Sequence, residues 1–347
     1  MAEIDISTVD VSGLFGSDPL EKKRVDDAIW EAATTMGFMV IGGLPLWANL
    51  TYEKRKFLLK LFTLPETEIS KLWLWNFNHD HKNIYRGWFP LQNGFPTYKQ
   101  GIDMGPDLVH GHASNNANDP LLGATPLPSE ESLPGWRAAA SDYYTAMSRL
   151  SAALMRSIAR SLKLDAGIFD AAFEGGISTL RITHYPPRPE QSFAGTREED
   201  LWTTHNGERR YLIGRPHHDT GFLTLLAQDG VSGLQAQHLD GRWIDIPPAE
   251  GSLAVNFGKV LERWTGGRVR ATIHRVLGSG QERYSIPFFY EPRPDAVISP
   301  LPLSEVEPFE PFYYGDHLWE TITKYNVEFR GISHLRSALG PPPSIQL

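Results

Sequence analysis

The sequence predicts an α+β fold, mainly β: a double-sheet roll backed by helices, one of them long and central. Residues 178–292 break into short runs of β-branched and large apolar residues, separated at regular spacing by Gly, Pro and Asp-Gly turns. That is the pattern of antiparallel strands closing into a roll. Upstream, residues 136–164 carry a stripe of Trp136, Ala140, Tyr143, Met147, Leu150, Leu154, Ile158 and Leu162. Steps of four and three put that stripe on one face of a helix, read as core backing for the sheet.

The other elements follow in order. Asp18 caps a first helix, with Pro19 at its first position and Glu21 at its third. It runs to about Met36, where Gly37 takes the left-handed closing position. Thr51 caps a second helix that runs through Phe62 and stops before Pro65. Residues 324–336 are expected to add a terminal helix. Residues 188–216 form a polar segment rich in Arg and Glu, read as a lid or specificity loop against the alternative of a solvated excursion. No linker, repeat or low-complexity run divides the chain. A single domain over 1–347 is therefore expected: a helical and strand region at 1–125, the long-helix region at 126–177, the roll at 178–295 and an extension at 296–347.

Composition bounds the function. With 41% hydrophobic residues, 17 Phe, 10 Trp and 12 Tyr in 347, the chain can fill a large core. The net charge of −8 speaks against nucleic acid or an anionic membrane as partner, since either needs a basic patch. The absence of Cys excludes disulfides, Fe–S clusters and thiolate ligands, and leaves His and carboxylates as the strong metal donors. No charged-then-apolar leader opens the chain, and the apolar stretch at 37–50 is short and broken by Gly and Pro. A cytoplasmic protein is the expectation.

The chemistry lies in two stretches. In Arg215-Pro-His-His-Asp-Thr-Gly221 the flanking residues look like strand, where positions two apart share a face and neighbours do not. His217 and Asp219 can then reach one ion together while His218 faces away. A third ligand must come from another strand, and His274, 274 − 219 = 55 residues on, opens the strand-like run Ile273-His-Arg-Val-Leu277. Two imidazoles and one carboxylate on one face leave three positions open, which suits Fe(II) that binds O2 and an organic chelate together. Arg283 and Ser285 are also two apart in a strand-like run. A guanidinium fork with a hydroxyl beside it suits the far carboxylate of a dicarboxylate whose keto-acid end chelates the metal.

These motifs, with Tyr85-Arg-Gly-Trp88, Tyr185-Pro-Pro187, Gly233-Leu-Gln235, Asn256-Phe-Gly258, Trp264-Thr-Gly-Gly267 and Glu291-Pro292 in order, make the chain resemble the 2-oxoglutarate/Fe(II)-dependent dioxygenase superfamily. Within it, the likeness is to the branch similar to isopenicillin N synthase and the plant flavonoid and gibberellin oxygenases. Ile4-Asp-Ile6 and Met36-Gly-Phe-Met-Val-Ile41 resemble that branch's opening strands. The resemblance implies a double-stranded β-helix, or jelly-roll, core. It implies His217, Asp219 and His274 as iron ligands, Arg283 and Ser285 as partners of the distal 2-oxoglutarate carboxylate, and Tyr185 as a further cosubstrate contact. Phe289, Tyr85 and Arg86 are expected at the substrate. Fe(II), 2-oxoglutarate and O2 are the implied cofactors, with ascorbate as a supporting reductant.

The implied reaction is oxidation of a small-molecule C–H bond, most commonly hydroxylation, with release of succinate and CO2. The alternatives are a related oxidase or cyclase, an ethylene-forming type of enzyme with atypical cosubstrate use, or an inactive small-molecule-binding module. Three departures stand out: Thr183 where plant-like members carry Asn, Gly42-Gly-Leu-Pro45 where Gly-His-Gly is usual, and the long 188–216 segment. Substrate identity and oligomeric state are not legible.

Overall fold

A computed structural model describes residues 5–48, 52–95, 97–110, 119–304 and 307–342. Along the chain run β1 (Thr8–Asp10), β2 (Phe38–Gly42), β3 (Gly87–Phe89), β4 (Gln100–Met104) and β5 (Thr179–Tyr185). They are followed by β6 (Trp202–His205), β7 (Glu208–His217), β8 (Leu223–Gln228), β9 (Leu234–Gln237) and β10 (Trp243–Asp245). The roll ends with β11 (Leu253–Phe257), β12 (His274–Leu277) and β13 (Arg283–Tyr290). Two facing sheets result: a major sheet of order β1-β2-β11-β8-β13-β5-β4-β3 and a minor sheet of order β10-β9-β12-β7-β6. This is the jelly-roll architecture.

Period-two alternation sorts the major sheet's side chains. Leu180 and Ile182 of β5, Leu223, Leu225 and Ala227 of β8, Leu253, Val255 and Phe257 of β11, and Ile286 and Phe288 of β13 point to the helical side and are buried there. Against them lies the long helix Trp136–Ser161, with the predicted stripe wholly buried from Trp136 to Ile158 and on to Leu162. The intervening residues face the minor sheet, where Phe38, Val40, Ala254, Ile213, Leu234, Ala236 and Val276 close one end of the roll with a second, smaller core.

Helix ends follow local chemistry. Asp18 caps Pro19–Thr35 by accepting from Leu20 N–H, and Gly37 follows at φ +64°. The second helix spans Tyr52–Leu59 and tightens into a 3-10 turn, Lys60–Thr63, before Pro65; Thr51 and Ile4 lie outside the described residues. Among the described residues no helix is long and apolar enough to cross a membrane.

Three expectations change. The sheet does not wait for residue 178, because β1 to β4 from the N-terminal third all join its edges. The terminal helix is Tyr314–Tyr325, burying Tyr314, Leu318, Trp319 and Ile322, and it stops at Asn326, whose backbone is extended. Residues 327–335 make only 3-10 turns. The 188–216 segment is no open loop: β6 and β7 form a hairpin turning at Asn206 and Gly207, both with positive φ, an Asn-Gly type I′ signature.

Because the long helix packs against β13 and β8, truncating Leu154, 1% exposed, opens a cavity under the sheet. Leu154→Ala is expected to lower unfolding free energy by roughly 2–5 kcal/mol, read as a shifted urea midpoint.

Candidate metal and cosubstrate site

β12 pairs with β7 so that His274 lies opposite His217. β7 ends at His217, so strand alternation does not carry on to Asp219, contrary to the expectation from the sequence. Asp219 is set instead by the turn that follows. Its carbonyl accepts from Lys259 N–H (2.9 Å), at the start of the helix Lys259–Trp264. Gly258 packs so closely on this turn that an added Cβ would collide with the Gly221 carbonyl oxygen. The result is nonetheless the expected trio: His217, Asp219 and His274 offer one ligand atom each, all within 4.8 Å of one another, a spacing that can hold a metal ion. His218 is not part of it.

The donors are prepared for a cation. Nδ1 of His217 lies 2.6 Å from the Arg215 carbonyl and that of His274 lies 3.2 Å from the Thr272 carbonyl. An Nδ1–H donated there leaves each Nε2 lone pair free, and each Nε2 is 3.6 Å from Asp219 Oδ1. His217 is half-exposed at the cavity, where desolvation and then the neighbouring His274 lower its pKa, which favours the neutral ring that a ligand must have. Burial works to raise the Asp219 pKa, but the two imidazoles and hydrogen bonds from Thr224 and Asn256 outweigh it and hold the pKa below the ordinary value.

Arg283 and Ser285 open the other half of the same cavity, which encloses about 850 Å³. They sit opposite Tyr185 and Thr183 on β5, and all four line the cavity. Arg283 is 2% exposed, yet among the described residues its Nε has no hydrogen-bond partner and its Nη2 has only Gln228 Oε1 at 3.5 Å. Tyr185 lies beside it, ring centroid 5.4 Å away. A buried guanidinium without a carboxylate is costly until an anion fills the place. Two imidazole donors and one carboxylate, with a buried cation nearby that has no carboxylate partner among the described residues, fit a divalent metal such as Fe(II) and a dicarboxylate chelate together.

Residues 176–292 match the family model described as the 2OG-Fe(II) oxygenase superfamily. Over 302 residues, 84% of each chain, the sequence is 30% identical to a 2-oxoglutarate-Fe(II) type oxidoreductase of Aspergillus fumigatus. The chain belongs to the 2-oxoglutarate- and Fe(II)-dependent oxygenases. It is an enzyme, a dioxygenase that works with Fe(II), 2-oxoglutarate and O2. It is also 29% identical to isopenicillin N synthase of Streptomyces clavuligerus, over 92% of this chain and 94% of that one. A crystal structure of a full-length Neurospora crassa protein in complex with alpha-KG shares the fold over 92% of this chain and 96% of that one, with TM-score 0.75 and 24% identity. In another structure the same Neurospora protein is bound to alpha-KG and thymine.

The oxygenase's remaining cavity wall was only partly legible. Phe289 and Tyr85 line it as expected. Arg86 does not: it is 1% exposed behind Tyr85, bonded to Thr179 Oγ1 and the Ile177 carbonyl. The aromatic and His cluster just before Tyr85 in the chain, Trp73, Trp75, His79 and His81, which its composition offers as a second pocket wall, stays out of the lining, with Trp75 stacked on His79 at 4.2 Å. What sequence reading missed is a layer of charge. Arg181 binds Asp103 bidentately (2.6 and 2.7 Å), and Lys99 reaches Glu328 (2.9 Å) from the turn after the C-terminal helix. Counting back by twos from Tyr185 along β5 would have put Arg181 on this face; nothing local marks Glu328.

Burial alone would raise the Glu328 carboxyl, but Lys99 and Arg181 outweigh it and hold the pKa at about 2. Lys99→Met leaves that carboxylate buried beside Arg181 alone, a loss of about 3 kcal/mol at neutral pH. Because the folded pKa lies below the ordinary 4.5, the pair's contribution is complete above that value and fades as pH falls towards 2. The urea-midpoint gap between wild type and Lys99→Met is thus expected to narrow on acidification, and a gap constant with pH would contradict the pairing.

Proposed function

We propose that the enzyme hydroxylates a small molecule at a C–H bond, with iron held by His217, Asp219 and His274 and 2-oxoglutarate held by Arg283, Ser285 and Tyr185. The observation that carries this is Arg283, buried on the same cavity as the trio and without a carboxylate partner among the described residues: a metal site without a cosubstrate would have no use for it. When bound, the iron and 2-oxoglutarate supply oxidative decarboxylation, which with O2 yields succinate and CO2 and puts one oxygen atom into the substrate.

The chain's own residues do the rest. Arg283 presents its fork to the distal carboxylate, Ser285 adds a hydroxyl donor, and Tyr185 limits the chelate's orientation from the neighbouring strand. Phe289 and Tyr85 wall the substrate side, and the Lys99–Glu328 and Arg181–Asp103 pairs give that wall a polar layer. A substrate with both apolar and hydrogen-bonding surface suits it. The Neurospora complex with thymine is a precedent for a small polar ligand on this fold. The whole chain serves as one catalytic unit in this reading, since Lys99, β5, β13 and Glu328 come from its beginning, middle and end.

The test is an anaerobic titration of Fe(II) and then 2-oxoglutarate into metal-free protein, followed by the visible charge-transfer band of the chelate. The wild type should develop the band and His217→Ala should not bind iron at this site. Arg283→Ala should raise the 2-oxoglutarate concentration needed by roughly 30-fold, the worth of about 2 kcal/mol for a hydrogen bond to a charged group. A band of undiminished affinity in Arg283→Ala would refute the cosubstrate assignment.

A further inference from the structure

We propose that Thr224 and Asn256 clamp the Asp219 carboxylate so that only one of its oxygens is free for the metal, which keeps open the positions a chelating cosubstrate needs. The inference rests on His217, Asp219 and His274 being the ligands.

Thr224 on β8 and Asn256 on β11 are directly opposed cross-strand partners, and both are buried on the cavity face. Thr224 Oγ1–H donates to Asp219 Oδ2 at 2.5 Å, and Asn256 Nδ2–H donates to the same oxygen at 2.7 Å. A carboxylate oxygen has two lone-pair sites, so Oδ2 is fully used. Oδ1 alone faces the two imidazoles, 3.6 Å from each Nε2.

Carboxylates bind cations through one oxygen or through both. Turning Asp219 to offer both would break two charge-assisted bonds and strand a buried hydroxyl and a buried amide. The backbone cannot yield instead, because Lys259 N–H holds the Asp219 carbonyl and Gly258 is packed against Gly221. Neither Thr224 nor Asn256 is assigned to the metal or the cosubstrate; both are positioning residues. Their removal frees Oδ2 for the metal, so iron is retained while the chelate loses a place.

Thr224→Val, Asn256→Ala and the conservative Thr224→Ser separate this from mere support, with melting temperature as the check on folding. Fe(II) binding is titrated first, anaerobically, and 2-oxoglutarate second by its charge-transfer band. A supporting residue ordinarily costs 10–100-fold in metal affinity. The clamp predicts instead that the 2-oxoglutarate dissociation constant rises about tenfold or more in Thr224→Val and Asn256→Ala, with Fe(II) affinity within about threefold of wild type. Thr224→Ser should match wild type in both. Iron affinity falling in step with cosubstrate affinity would overturn the clamp, as would no change in either. Should Thr224→Val fail to fold, Asn256→Ala on the other strand decides alone. Failure of the wild type itself to bind Fe(II) would overturn the ligand assignment, an outcome visible before any variant is compared.

Discussion

Strand register is the constraint on which the site depends. Along β5, β8, β11 and β13 every second side chain is pledged to the core under the long helix, and the ones between thereby face into the roll, where most of them line the cavity. A slip of one residue would exchange Thr183 and Tyr185 for Ile182 and His184, and Arg283 and Ser285 for Tyr284 and Ile286. Apolar packing on the helical side therefore does more than stabilise. It fixes which polar groups meet inside the roll, and Trp136, Leu150 and Leu154, remote from any chemistry, hold the catalytic face in place.

The cavity concentrates charge that would be costly elsewhere, and the manner in which each charge is compensated separates scaffold from site. Arg181 with Asp103, Lys99 with Glu328, and Glu291 with Tyr314 and Thr179 are satisfied within the protein. Asp219 has one oxygen satisfied and one facing the imidazoles. Arg283 is buried with its Nε unpaired among the described residues. Groups left incomplete where water has been excluded are poised to bind, because the ligand supplies the missing half of the interaction.

Legibility in the sequence tracks how local the determining physics is. The Asp18-Pro19 cap, the stripe from Trp136 to Leu162 and the pairing of Arg283 with Ser285 are set by residues within a few positions of each other, and they appear where the pattern puts them. The Asn206-Gly207 turn is equally local, but its hairpin signal sits within a run of charged residues at 188–216 that has the composition of a solvated loop. The membership of β1 to β4 in the major sheet depends on pairings over long sequence separations, Val40 with Ala254 or Asp103 with Arg181. Periodicity within one segment carries nothing about them. Arg86 shows the same limit from the other side: a cation beside a cavity-lining Tyr85 reads as a ligand contact until the fold shows it buried behind the wall and bonded to Thr179 and the Ile177 carbonyl.

This difference extends to the two halves of the cavity. The proposed metal and cosubstrate residues lie between 185 and 285, on β5 and β13 of one sheet, β7 and β12 of the other, and the turn after β7. The rest of the cavity wall is assembled from distant parts: Tyr85 and Lys99 before the long helix, Arg181 and Phe289 in the roll, and Glu328 past the C-terminal helix, where Asn76 Nδ2 holds its carbonyl at 3.1 Å. Chain connectivity imposes little on such a wall, so a segment such as 327–330 can change without disturbing the strands and turn that carry His217, Asp219 and His274. A common reaction chemistry with separately variable substrate chambers follows from that division of labour. It also explains why the motifs identify the reaction far more sharply than the molecule on which it acts.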